Sequence, residues 1–233
     1  MLEITYRFKL SNEQVREYKV FLDDAGNYIE PAAECDYPDW VRLEVDQCRE
    51  CPLKPKDHYF CPAAKGLYRL MTEFAEVVSF VPISVVIMTA NRTISAEVPA
   101  QSALTSVMGL VMASSGCPVV GKLRPMARFH LPFADKTETL YRAMGMYLTS
   151  QFLRQRRGLT PDWSLQGLEK IYGEIHAVNR DFSERLRNGP GKETTLGGLT
   201  LLDTFAQYGG SLAKFMPERL ESLFRMYFDE EDD

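Results

Sequence analysis

The chain has 233 residues, enough to bury a full core, so a bound metal would add to its stability rather than be its only source. Its 45% apolar and 25% charged residues are those of an ordinary globular protein. A net charge of −5 and a pI near 5.4 exclude the basic footprint of general nucleic-acid binding.

The first residues alternate. Leu2, Ile4, Tyr6, Phe8 and Leu10 interleave with Glu3, Thr5, Arg7 and Lys9, which predicts a strand with one wet face and argues against a signal peptide. Tyr18, Val20 and Leu22 predict a second strand, ended by turn chemistry at 23–27. Val41, Leu43 and Val45 predict a third, leading into Cys48. Leu67, Leu70, Met71, Phe74 and Val78 share one helical face, with Pro62 at the first helical position and Cys61 near the N-cap. The β-branched runs at 83–89 and 93–98 predict a hairpin around 90–92.

Residues 98–121 carry no charge, but they include Pro99, Gln101, Ser102, Thr105, Ser106 and Pro118. A buried helix over 100–114 ended by Gly116, then a loop, fits them better than a membrane span, and the cytoplasm is the expected location. A proline-rich loop is expected over 117–134. Asp135 and Glu138 form a capping-box pattern that opens a helix, with Leu140, Met144, Tyr147 and Leu148 inward. Gly158 and Pro161 end it, and Arg154, Arg156 and Arg157 suit its C-terminal dipole. A long helix over 164–187 has the stripe Leu165, Leu168, Ile171, Tyr172, Ile175, Val178, Phe182 and Leu186, with His176 off the stripe and expected in solvent. Shorter helices are expected at 196–208 and 217–228, and the five acids of 229–233 are expected to be a disordered tail.

The expected fold is α+β: an N-terminal antiparallel sheet with a cysteine-rich insertion, packed against a C-terminal helical part. Residues 1–98 form the strand-rich part and 99–228 the helical one. No Pro/Gly/Ser linker separates them, so they are expected to pack as one unit.

Four of the five cysteines fall within 35–61: Cys35, Cys48, Cys51 and Cys61; the fifth is Cys117. Cys48 and Cys51 form a Cys-x-x-Cys, the spacing at which one tight turn can present two thiolates to one ion. Cys61 adds a third thiol at a helix start, where unpaired N–H groups favour a thiolate. Cys51, Cys61 and Cys117 each precede proline, a context also found in iron–sulfur ligand runs. The segment after Cys51, Pro-Leu-Lys-Pro, cannot begin the regular helix that a redox dithiol uses. Structural zinc is the favoured reading, with a [4Fe-4S] cluster, a reactive dithiol or simply buried cysteines as alternatives. The expected ligands are Cys48, Cys51, Cys61 and Cys117, with His58 and Cys35 as competitors for the fourth place.

The runs CRECPL (48–53), SSGCPV (114–119), RPMARFHLPF (124–133) and YRAMGMYL (141–148) resemble a family of uncharacterised bacterial proteins. The resemblance covers most of the chain. It implies a bacterial source and links the two cysteine regions in one protein, and it implies no activity.

Residues 98–134 hold no Asp or Glu but gather Lys122, Arg124, Arg128 and His130. These could present cations to a phosphate or carboxylate, or pair with some of the chain's 32 acids. A hydrogen-bonded, half-buried His130 is favoured over a catalytic one. No phosphate loop, nucleophile elbow or His-Glu-x-x-His motif is present. The sequence thus predicts a binding or regulatory protein with a structural zinc. Its partner would be another protein or a small anion. An iron–sulfur or dithiol redox protein and an enzyme acting on an anionic small molecule are the alternatives.

Overall fold

The computed structural model describes residues 1–11, 13–30, 36–188, 193–209 and 220–228. The fold is α+β. Five antiparallel strands form one sheet in the order β3-β2-β1-β4-β5, from β1 (Leu2–Lys9), β2 (Val15–Leu22), β3 (Tyr28–Ile29), β4 (Pro82–Thr89) and β5 (Arg92–Pro99). The expected alternation sets the register: Tyr6 pairs with Tyr18 on one side and Ile87 on the other. Ile4, Tyr6, Phe8, Tyr18, Val20, Leu22, Val85 and Ile87 turn their side chains inward. The opposite face carries exposed ion pairs, Glu3–Lys19 and Arg7–Glu17. A sheet with one wet face must bury the other, and helices cover it.

α1 (Pro62–Glu73) and α2 (Ala100–Ser114) do most of this. α2 is the uncharged segment, and eleven of its fifteen residues are buried because sheet and helices pack around it. No helix among the described residues is long and apolar enough to cross a membrane. α3 (Arg124–Arg128), α4 (Lys136–Arg156), α5 (Gln166–Asn188) and α6 (Glu193–Gly209) complete the fold. The capping box at α4 forms as its pattern predicts: Glu138 N donates to Asp135 Oδ1 and Asp135 N to Glu138 Oε2, both at 2.8 Å. The buried apolar side chains run as one cluster from Ile4 to Ala206.

Four elements differ from the sequence reading. The strand expected at 41–45 is a short 3-10 helix, Asp39–Val41, followed by turns, with only Arg42 bridging to Phe60. Val41 and Leu43 are fully buried and bond the backbone of 59–61, but the Arg42 and Leu43 carbonyls bond to a side chain instead of extending a ladder. The loop expected at 117–134 contains a 3-10 turn, Val120–Leu123, and α3, because Pro125 sits in α3's first turn, where its missing N–H costs nothing. α1 stops at Glu73, so Val78 leaves its stripe and is exposed. The described part of the last expected helix contains a 3-10 helix, Ser222–Tyr227, while Cys35, the 189–192 break and the acidic tail 229–233 lie outside the described residues.

Candidate functional site

Cys48 and Cys51 sit on one turn, closed by Cys51 N donating to the Cys48 carbonyl at 3.0 Å. Gln47 Nε2 donates to the Leu53 carbonyl at 2.8 Å and ties the turn's two flanks. Cys61 is the N-cap of α1, with Pro62 behind it, and its own N–H donates to the Val41 carbonyl at 2.9 Å. Cys117 follows α2, beyond whose C-cap Ser115 stands Gly116 in the left-handed region with φ of 91°. A β-carbon at Gly116 would stand 4.0 Å from Pro62 Cβ, so the end of α2 lies beside the start of α1. This brings Cys117 to Cys61 across the gap in sequence.

Electrostatics record the same convergence. Burial pushes the Cys48 thiol up to about 12, the Cys61 and Cys117 thiols push the same way, and Arg185 pulls it down. Burial also raises Cys61 and Cys117, opposed in Cys61 by Arg185 and by the N–H groups of Ala63 and Ala64. In Cys117 the N–H groups of Val119 and Val120 oppose it. Cys51 raises both of them. The helix-start donors expected to favour a thiolate at Cys61 are therefore present but outweighed by desolvation. None of the four described cysteines is in a disulfide. As they stand, no three His, Cys, Asp or Glu side chains among the described residues are disposed to hold an ion. His58 is exposed, on a turn where its N–H bonds the Lys54 carbonyl.

α5 fixes the cysteine loop from behind. Arg185 has no exposed surface; its Nη1 donates to the carbonyls of Trp40 and Arg42 at 2.7 and 2.6 Å. Its Nη2 donates to those of Leu43 and Asp46, both at 3.1 Å. Among the described residues no carboxylate pairs with it, and its buried Nε has no partner. One turn earlier, Asp181 binds Arg49 of the Cys-x-x-Cys turn, at 2.7 Å to Nη2 and 2.9 Å to the backbone N–H. The sequence reading missed Arg185. Its position i+3 from Phe182 on the apolar stripe was the available signal, because a charge on a buried face needs a partner.

The four basic-loop residues are divided among different partners, with Arg124 and Arg128 side by side over Gly26. Lys122 pairs with Glu174. The stem of Arg124 packs over Gly26, and its Nε is buried without a partner. Arg128 lies over the exposed Phe129 ring at 5.7 Å. His130 alone turns inward, with Nε2 2.5 Å from the Tyr6 hydroxyl and 3.4 Å from Ser106 Oγ. Burial, and then the Arg142 charge, hold its pKa down at about 3, so the ring is neutral near pH 7. His176 lies off the stripe and keeps 38% of its side chain exposed, with its Nδ1 2.7 Å from Asp203 on α6.

The chain belongs to a family described as a domain of unknown function, DUF6901, whose model matches residues 4–225. No curated protein and no solved structure matches it.

Proposed function

We propose that this is a binding or regulatory protein whose N-terminal and helical parts are joined by a structural zinc held by Cys48, Cys51, Cys61 and Cys117. The observation that carries this reading is Arg185. A guanidinium keeps its charge when buried, and one with no carboxylate partner is costly unless another anion balances it. Carbonyl dipoles solvate this one but leave its unit charge in place. Four thiolates around a divalent ion sum to two negative charges, and Arg185 acts electrostatically on Cys48 and Cys61. N–H groups aimed at Cys61 and Cys117 support the same anionic form.

Burial raises the thiols of Cys48, Cys61 and Cys117 above their usual pKa, which suits a structural role better than a reactive dithiol, since nucleophilic cysteines need the opposite shift. Binding would have to draw the four sulfurs together, with their protons released. Elemental analysis of the purified protein tests the reading. Zinc at one equivalent per chain is expected, together with a tetrahedral thiolate spectrum after cobalt substitution. Cys48→Ser, Cys51→Ser, Cys61→Ser and Cys117→Ser should each lower the bound metal, and Cys35→Ser and His58→Ala should not. Iron with visible charge-transfer absorbance would replace zinc by a [4Fe-4S] cluster in the same cysteines. Absence of any metal, with no uptake of zinc or cobalt, overturns the proposal.

A further inference from the structure

Beside α2, residues of the helical part and Val98 at the end of β5 line a half-open cavity of about 440 Å³. This is within the range of about 300–1,000 Å³ that small-molecule sites occupy. α2 supplies Gly109, Leu110 and Ala113 to its wall, and α6 supplies Leu201, Leu202 and Ala206. A cavity walled by such residues suits an aliphatic body.

Its polar groups are few. Arg142 of α4 lines it, half-buried. Nη2 of Arg142 donates to the carbonyls of Met126 and Phe129 at 3.0 and 2.9 Å, which holds the guanidinium in place. Among the described residues no carboxylate forms an ion pair with it; Glu138, one turn back, bonds the Asp135 N–H of the capping box. The Tyr172 hydroxyl, also on the wall, makes among the described residues only a long contact to Met126 Sδ at 4.0 Å. Asn179, 3% exposed and two turns along α5 from Tyr172, lines the cavity, and its side chain makes no hydrogen bond among the described residues. The neutral His130 ring completes the group. A fixed, unpaired cation and two nearly free buried hydrogen-bonding side chains facing an apolar chamber define one chemistry. Desolvation of Arg142 already lowers its pKa, a cost that an incoming anion would relieve.

We propose that this cavity is a binding site for a small amphipathic monocarboxylate, its aliphatic chain along the wall that α2 and α6 form together and its carboxylate on Arg142 and Tyr172. Ser106 and His130 border it without an orienting carboxylate among the described residues, so the site is one for binding rather than for hydrolysis. The proposal stands independently of the cysteines, which lie outside the cavity wall.

The test uses three probes with one chain and different heads: decanoate, decanol and decylammonium, below micelle formation, by titration calorimetry on the whole protein. Decanoate is expected to bind about tenfold or more tighter than decanol, the contribution of a charge-assisted hydrogen bond. Decylammonium should bind worst. Arg142→Gln should lower decanoate affinity by about the same factor and leave decanol unchanged, and Arg142→Lys should retain part of the difference. If Arg142→Gln fails to fold, the ranking of the three probes on the natural protein decides alone. Failure of decanoate to bind, equal binding of all three, or an unchanged decanoate affinity in a folded Arg142→Gln variant overturns the proposal.

Discussion

Asp181 holds Arg49 by both its guanidinium and its backbone N–H, 132 residues away in the chain. Arg49 is the first residue between the two cysteines of the Cys-x-x-Cys, so α5 anchors the turn from inside its loop. The carboxylate is mostly covered while the arginine is mostly exposed. Most of the value of the contact should therefore lie in the backbone bond. Asp181→Ala is expected to cost about 1–2 kcal/mol, since it removes two charge-assisted hydrogen-bonding interactions. Arg49→Ala keeps the N–H donor and should cost less than 1 kcal/mol, roughly what an exposed ion pair is worth. Denaturant midpoints of the two variants check the order; equal losses would place the energy in the side-chain pair instead.

Arg185 poses a larger penalty. Four carbonyls of 40–46 turn to it in place of a strand ladder. Arg185→Met would fill much of the same space but leave those acceptors buried and unbonded, at about 1–3 kcal/mol for each fully desolvated group. We expect a loss of roughly 3–5 kcal/mol, the range for breaking a buried charge network. Arg185→Lys should rescue only part of it, because an ammonium is a point donor and cannot span the carbonyls a planar fork reaches. Thermal unfolding of both variants is the measurement, and a Met variant as stable as the natural protein would contradict the assigned role.

This arginine also shows what was legible in the chain and what was not. Strand β1, the 82–99 hairpin, α2 and the capped start of α4 follow from local pattern, and each formed where its residues predicted. The segment 39–46 carries a strand-like alternation, yet four of its carbonyls accept from one side chain, three of them from 142 residues or more away. No local window contains that partner. The nearness of Cys117 to Cys61 is of the same kind, since it depends on how α2 ends beside the start of α1. The acid-free loop was legible as composition only. Which of its cations would find an acid depended on α5 supplying Glu174 to Lys122, and the cation that lines the cavity without an ion pair among the described residues is Arg142, outside that loop.

The two groups depressed furthest, His130 and Asp162, contribute to an acid limit on stability in separate windows. His130 has its folded pKa depressed to about 3 by burial, against an unfolded value of about 6.5. The unfolded chain binds a proton there that the folded chain refuses, so stability falls as pH drops from about 6.5 to 3. Asp162 is depressed to about 2 by the hydroxyl and N–H of Ser164, the Gly167 N–H and the Tyr147 hydroxyl. Its contribution is present above about 3.9 and is lost as pH falls toward 2. His130→Gln should flatten the first window and leave the second; Asp162→Asn should do the reverse. Unfolding midpoints measured across pH 2–8 separate them. A slope above pH 4 that persists in His130→Gln would assign it to another group.

Gly66 sets the distance between α1 and α2. A β-carbon there would lie 2.9 Å from Val111 Cγ1 and 3.7 Å from the Tyr28 ring. Both helices are pressed on the sheet, and Val111 is fully buried, so neither side can yield without moving a helix. Gly66→Ala gains helix propensity worth about 1 kcal/mol, but overpacking a tight core costs about 1–3 kcal/mol. The net effect is expected to be destabilising. Val111→Ala alone should cost about 1–3 kcal/mol through lost burial and a cavity. The pair should be less than additive, because the truncated Val111 leaves room for the new methyl group, and a coupling of about 1 kcal/mol in favour of the double variant is the expected sign. A double-mutant cycle from denaturant unfolding measures it. Simple additivity would mean that the helices shift apart freely and that Gly66 does not fix their approach.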